Sequence, residues 1–350
     1  MPAPCVGSPS SSLSPPEQAL RQGRWVKLIC GASNQDLAAI EDLAGVYTLA
    51  GVHCIDAAAD DAVVAAVRRG VAWANQRGAA RPWLMLSLSD GEDPHFRKAW
   101  FDPERCPLDC RRPCERACPA LAIGVAATGA AGVLRDRCYG CGRCLPACPL
   151  GLIEEHSQVL AADAVPALLA RLQPDAIELH CQSVRLEGFA ARLAQLRSSG
   201  ISLRRLAVSM GGTEPLSLAA ELWQRFALLR GARYRPIWQL DGRPMSGDLG
   251  PAAARAAVDL LQQLLPWAPP GPLQLAGGTN AHTLTALQQQ GLQASAAGVG
   301  FGGEARRRLL PWLQQAQQRQ CRLLDCGDLW PEALVEAKAL VGPWLLRPQG

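Results

Sequence analysis

Fourteen cysteines occur in the 350 residues, and eight of them lie between Cys106 and Cys148. The second half of that cluster reads Cys138-Tyr-Gly-Cys141-Gly-Arg-Cys144-Leu-Pro-Ala-Cys148-Pro149. This C-x₂-C-x₂-C-x₃-C-P run is the bacterial ferredoxin pattern for [4Fe–4S] ligation. Its spacing has a physical reason: one tight loop must turn three thiolates onto three irons of a single cube. Gly140 and Gly142 permit the unusual backbone angles of such a loop, whose N–H groups can then bond to sulfur. The fourth cysteine leaves the loop, and Pro149 turns the chain after it.

The first half, Cys106-Pro-Leu-Asp-Cys110-Arg-Arg-Pro-Cys114-Glu-Arg-Ala-Cys118-Pro119, ends in the same way but has three residues in each of its first two gaps. Both halves continue alike, with Pro-Ala-Leu-Ala-Ile and Pro-Leu-Gly-Leu-Ile. In two-cluster ferredoxins the fourth cysteine of each run ligates the other cube. A first [4Fe–4S] cluster would then take Cys106, Cys110, Cys114 and Cys148, and a second Cys138, Cys141, Cys144 and Cys118. Paired C-x₂-C knuckles also hold structural zinc, so zinc is the alternative. Cys30, Cys54 and Cys181 fall in apolar runs and read as small buried core residues. Cys321 and Cys326 lack companions for a metal site.

Around the cluster the chain alternates short apolar runs with amphipathic stretches. Strands are expected at 26–30, 52–57, 83–88, 176–181, 205–209, 237–240, 273–276 and 296–299, nearly all followed by a helix. Asn34 is the expected N-cap of the first of these helices, and residues 322–324 and 331–340 suggest a further strand and helix. Strict alternation implies parallel strands with crossover helices, and eight such units fit an α/β (β/α)₈ TIM-like barrel. An open doubly wound sheet is the runner-up. Residues 1–20 read as a disordered tail, 24–100 as the first part of the barrel, 101–157 as a two-cluster ferredoxin-like insertion after strand three, and 158–350 as the rest of the barrel with a C-terminal extension. The balance of 35 Lys and Arg against 31 Asp and Glu is too even for a nucleic-acid binder. No transmembrane segment or secretory signal is read, so a cytoplasmic location is expected.

Barrel active sites lie at the carboxyl ends of the strands, and the insertion leaves strand three at that end. Strand seven runs into Gly277-Gly278-Thr279-Asn280, and strand eight into Gly300-Phe-Gly302-Gly303. Glycines there let backbone N–H groups approach a phosphate, as in flavin mononucleotide (FMN) barrels, but tight turns need glycine too. FMN at these residues, feeding an oxidoreductase, is therefore the alternative to a non-enzymatic protein. Asn34, Asp56, Asp90, Glu92, Asp93, His95, Asp241, Arg243 and Asp248 also fall at strand ends. Glu178, His180 and Gln182 alternate along strand four and so share a face. Nothing identifies a catalytic acid or base among them.

Barrel-like flanks around a cysteine insert resemble one family, the cyanobacterial light-dependent period proteins, iron–sulfur proteins of circadian clock input. The resemblance rests on residues 25–34 (WVKLICGASN), 90–98 (DGEDPHFRK), the two cysteine runs and 238–247 (WQLDGRPMSG). It implies a protein that senses the photosynthetic and cellular redox state and passes it to clock or clock-input proteins. A redox carrier would be a further partner. The three-residue gaps are then this family's own pattern. The resemblance implies no reaction for the barrel.

Overall fold

The computed structural model describes residues 13–91, 96–118, 120–125, 131–157, 160–212, 214–243 and 251–348. The chain enters through helix α1 (Pro15–Arg21), then strand β1 (Trp25–Ile29), α2 (Leu37–Ala50), β2 (Cys54–Ala58), α3 (Asp61–Asn75) and β3 (Trp83–Ser89). The insertion follows with β4 (Arg97–Trp100), α4 (Pro113–Ala117), β5 (Ile123–Val125), β6 (Ala131–Val133), α5 (Cys144–Ala147) and β7 (Glu154–Ser157). The alternation resumes with α6 (Ala164–Leu172), β8 (Ala176–His180), α7 (Leu186–Ser198), β9 (Arg205–Gly211), α8 (Pro215–Gly231), β10 (Pro236–Asp241), α9 (Pro251–Leu264), β11 (Leu273–Ala276), α10 (Thr283–Gln289), β12 (Gly298–Phe301) and α11 (Gly303–Gln318). Helix α12 (Trp330–Leu345) ends the fold.

Eight strands close a barrel in the order β1-β12-β11-β10-β9-β8-β3-β2, and the pairings around it are parallel. The pleat sends alternate residues to opposite faces. Val26, Leu28, Ile55, Leu86, Ile177 and Val208 face the helices and join the main apolar core. The other face fills the interior in layers. The bottom layer is apolar: Trp25, Cys54, Trp83, Met85, Ala176, Ala207 and Ile237, with Leu20 of α1 packed among them.

Above it lies a polar layer. The Lys27 ammonium donates to Glu178 and, at 2.6 Å, to Gln239 Oε1, and lies 3.7 Å from Asp56. Gln239 Nε2 donates to Glu178 at 2.7 Å and Ser209 at 3.1 Å, while Gln274 links Gln239 to the Trp25 indole. Charges this deep are tolerated only when paired and hydrogen-bonded. Burial opposes the charge on Lys27, but the Glu178 and Asp56 carboxylates more than offset it and hold its pKa up. Burial also acts on Glu178, where the Lys27 and His180 charges win and hold the carboxyl down to about 2. On Asp56, burial and the Glu178 charge prevail and push it up to about 8.

Three expectations need correction. The tail was expected to run through residue 20, yet Pro15–Arg21 is helical, and Leu20 is 2% exposed because it plugs the bottom of the barrel. Residues 1–12 lie outside the described chain. Asn34 does not cap α2. Asp36 does, accepting from Ala39 N, while Asn34 Nδ2 donates to the Cys30 carbonyl. Residues 322–324 are not a strand, since Leu323–Asp325 forms a 3₁₀ turn. A closed barrel offers no edge to pair with, so the Leu323 and Leu324 amides donate instead to the buried Asp42 carboxylate.

Candidate functional site

The insertion is tethered at both ends. Its entry strand β4 and exit strand β7 pair antiparallel from Arg97↔Ser157 to Trp100↔Glu154. Lys98, 3% exposed, donates to Gln35 beyond β1 at 2.7 Å and to the Arg135 carbonyl at 2.8 Å, and Gln35 N donates to the Asp136 carbonyl. The second cysteine loop is thereby held against the barrel. Gly140 and Gly142 sit at φ +74° and +70°, the left-handed region that the loop was expected to need.

The eight thiols form two groups. Cys144 has Cys141, Cys138 and Cys118 as its electrostatic neighbours, and Cys141 has Cys118 and Cys138. Cys106 adjoins Cys110 and Cys148, and Cys114 adjoins Cys148 and Cys106. Thus Cys118 and Cys148 each leave their own run and meet the other. Cys118, Cys138, Cys141 and Cys144 border one small cavity, walled by Ala99, Ala122, Ile123 and Val133. Among the described residues, no three Cys, His, Asp or Glu side chains are gathered as the ligands of a single metal ion would be.

Backbone amides already point at the sulfurs. Ala99 N donates to Cys138 Sγ at 3.3 Å, and Ala122 N donates to Cys118 Sγ at 3.2 Å. Such bonds orient the ligands and tune a cluster. Burial raises the thiols of Cys106, Cys114, Cys141 and Cys144, the last to about 12. Burial also acts on Cys148, but the N–H groups of Leu150 to Ile153 more than offset it and hold that thiol below its usual value. Cys114, Cys138 and Cys144 are buried. The first group lies nearer solvent, with Leu108 99% exposed beside it.

The second loop also forms part of the barrel mouth. A cavity of about 120 Å³ there is lined by Cys30, Tyr139, Cys141, Glu178, His180, Gln239, Asp241, Arg243 and Arg306. Of the glycine-turn residues expected to hold a phosphate, Gly277, Gly278, Thr279, Gly300, Gly302 and Gly303 line it too. Asn280 does not; its side chain braces its own turn, Nδ2 donating to the Gly278 carbonyl and Oδ1 accepting from His282 N. Thr279 Oγ1 donates to the Gly300 carbonyl. Gly277 and Gly278 have a backbone reason to be glycine, since a Cβ would meet Arg243 O at 2.5 Å and Ala253 O at 2.8 Å.

Glu178 and His180 share the inward face, but β8 ends at His180, and Gln182 lies beyond it, its backbone N donating to Asp90 and its carbonyl accepting from Arg225. Glu92, Asp93, His95 and Asp248 lie outside the described residues. Arg306 and Tyr139 were not signalled by any motif. The guanidinium of Arg306 lies over the Tyr139 ring at 5.2 Å, a contact spanning 167 positions that only the closed barrel creates. Cys30, Cys54 and Cys181 are buried packing groups, and Cys321 and Cys326 are joined in a disulfide.

Residues 106–159 match the family described as LdpA Fe-S cluster-binding domain, and residues 168–343 match Light dependent period A C-terminal domain. A protein of Synechococcus elongatus named Light dependent period A is 48% identical over 339 residues, covering 95% of this chain and 94% of that protein. Among solved structures, the YdjI aldolase of Escherichia coli K12 covers 96% of both chains at 8% identity and TM-score 0.44. The tryptophan synthase alpha subunit of Legionella pneumophila covers 92% of this chain and 97% of its own at 11% identity and TM-score 0.37.

Proposed function

The chain belongs to the Light dependent period A family of iron–sulfur proteins, and on that premise we propose that it carries two [4Fe–4S] clusters and relays cellular redox state to the circadian clock. The observation that carries this reading is the crosswise sorting of eight thiols into two groups of four. Cys106, Cys110, Cys114 and Cys148 hold the first cluster, and Cys118, Cys138, Cys141 and Cys144 the second. When bound, the clusters supply one-electron chemistry whose potential depends on charge, exposure and N–H···S bonds. The chain's own residues set those terms. The Ala99 and Ala122 amides donate to the Cys138 and Cys118 sulfurs and so orient two ligands of the second site.

The more exposed first group is the side from which a redox carrier exchanges electrons. The second is the side that reports to the barrel. A change of cluster charge beside the Lys98, Gln35 and Tyr139 contacts alters how the insertion sits, and clock or clock-input proteins read that difference. No helix among the described residues is long and apolar enough to cross a membrane. The test is a cyanobacterial host whose own copy is replaced by this chain or by its Cys141→Ser variant. The wild-type chain supports a free-running period that changes with light intensity, and the variant loses that dependence. An undiminished light response in the variant contradicts the proposal.

A second reading, an oxidoreductase with FMN at the mouth, is supported by Cys141 and the glycine turns bordering one cavity. Flavin released by acid from the purified chain is its test, and none is expected, because about 120 Å³ is below the roughly 300–1,000 Å³ of pockets for larger ligands.

A further inference from the structure

The barrel mouth presents recognition chemistry that the cysteine-rich insertion does not use. On one side stands Arg306, in the first turn of α11, 9% exposed. It donates to the Cys30 carbonyl at 2.9 Å and lies over Tyr139, and among the described residues no carboxylate pairs with it. Glu304, two residues earlier, is engaged by Arg307 and Arg308. A buried guanidinium without a counter-charge is costly, and an anion entering the cavity would offset that cost.

The same place is favoured for negative charge by the 16-residue helix that starts at Gly303, whose Gly302 N-cap has no capping side chain. Arg243 borders the cavity as well. Below lie the oxygens of Glu178, Gln239 and Asp241, with His180. Glu178 and Gln239 are engaged by Lys27 and Gln274 below, so Asp241, the less buried carboxylate of the lining, is the acceptor that a hydroxyl donor meets.

We infer that the mouth binds a small phosphate monoester carrying hydroxyl groups, its phosphate on Arg306 and the first turn of α11 and a hydroxyl on Asp241. A cavity of about 120 Å³ admits a phosphate with a short carbon chain. Because Tyr139 and Cys141 form one wall, the bound ester sits against the second cysteine group. The inference stands apart from the cluster reading, since each rests on different side chains.

The test is calorimetric titration of the anaerobically purified full chain with glycerol 3-phosphate, inorganic phosphate and glycerol. Glycerol 3-phosphate binds most tightly, inorganic phosphate more weakly, and glycerol not measurably. Arg306→Gln weakens the ester by about tenfold or more, as loss of a charge-assisted pair should, and Arg306→Lys recovers part of it. Asp241→Asn narrows the preference for the ester over inorganic phosphate. No binding of glycerol 3-phosphate at ~10 mM, equal binding of glycerol, or unchanged affinity in Arg306→Gln overturns the inference. Should that variant not fold, thermal shifts of the wild-type chain decide: the ester raises Tm, while glycerol and matched chloride do not, and equal shifts overturn it. Iron measured on the same samples reports separately on the clusters.

Discussion

Cys141 borders both the four-cysteine cavity and the barrel mouth, so one residue links the two features on which function rests. Replacing it with serine is expected to lower iron from about eight to about four atoms per chain while far-UV circular dichroism keeps its barrel signature. Iron unchanged by Cys141→Ser would contradict the assignment. The cysteine sites were legible because each loop is local and its spacing carries the geometry. Lys27 was not. It sits in an apolar strand, and its partners Glu178 and Gln239 lie 151 and 212 positions away, so only barrel closure reveals the pair. Lys27→Met strands a buried carboxylate and should destabilise the fold by about 3–5 kcal/mol, read as a lower urea midpoint; an equal midpoint would show that the pair is dispensable.

At the scale of elements, the first two barrel strands are joined by more than their ladder. His53, just before β2, accepts from Val26 N at 3.1 Å through Nδ1 and stacks on Trp25 at 6.1 Å. Burial holds its pKa down to about 4, against 6.5 for a free imidazole. The sign follows. Below pH 6.5 the unfolded chain takes up a proton that the folded chain refuses, so stability falls as pH drops from 6.5 towards 4. His53→Asn, which keeps an acceptor for Val26, is expected to flatten that fall in urea titrations at pH 6.5 and 4.5. An equally steep fall in the variant would assign it to other groups.

Strand and helix alternation was readable from apolar periodicity, and the barrel elements lie close to where it put them. The reading failed at 322–324, where an apolar run passes equally for strand or turn. Whether a strand has an edge to join depends on closure, which no local pattern encodes. Asn34 failed for a related reason: Asp36, two residues on, competes for the same cap, and the Cys30 carbonyl takes the Asn34 amide.

For the whole molecule, closure of the barrel also decides what its ends do. A Pro- and Ser-rich start reads as tail, yet α1 places Leu20 against Trp25 and Trp83, while Glu17 pairs with Arg205 and Arg235. At the other end Arg347 donates to the Gly23 and Ala296 carbonyls, so α1 and the turn after α12 pack on one end of the barrel, while Tyr139 and Cys141 of the insertion wall the mouth at the other. Leu20→Ala should therefore cost about 2–5 kcal/mol, a value outside the reach of a disordered tail; a change near zero in urea unfolding would remove α1 from the core. The central claim nevertheless concerns the insertion, and one measurement reaches it most directly: iron and acid-labile sulfide in the anaerobically isolated chain. The account predicts about eight of each per chain, with the broad visible absorption of iron–sulfur cubes. Zinc in place of iron, or the eight thiols recovered as disulfides, would contradict it.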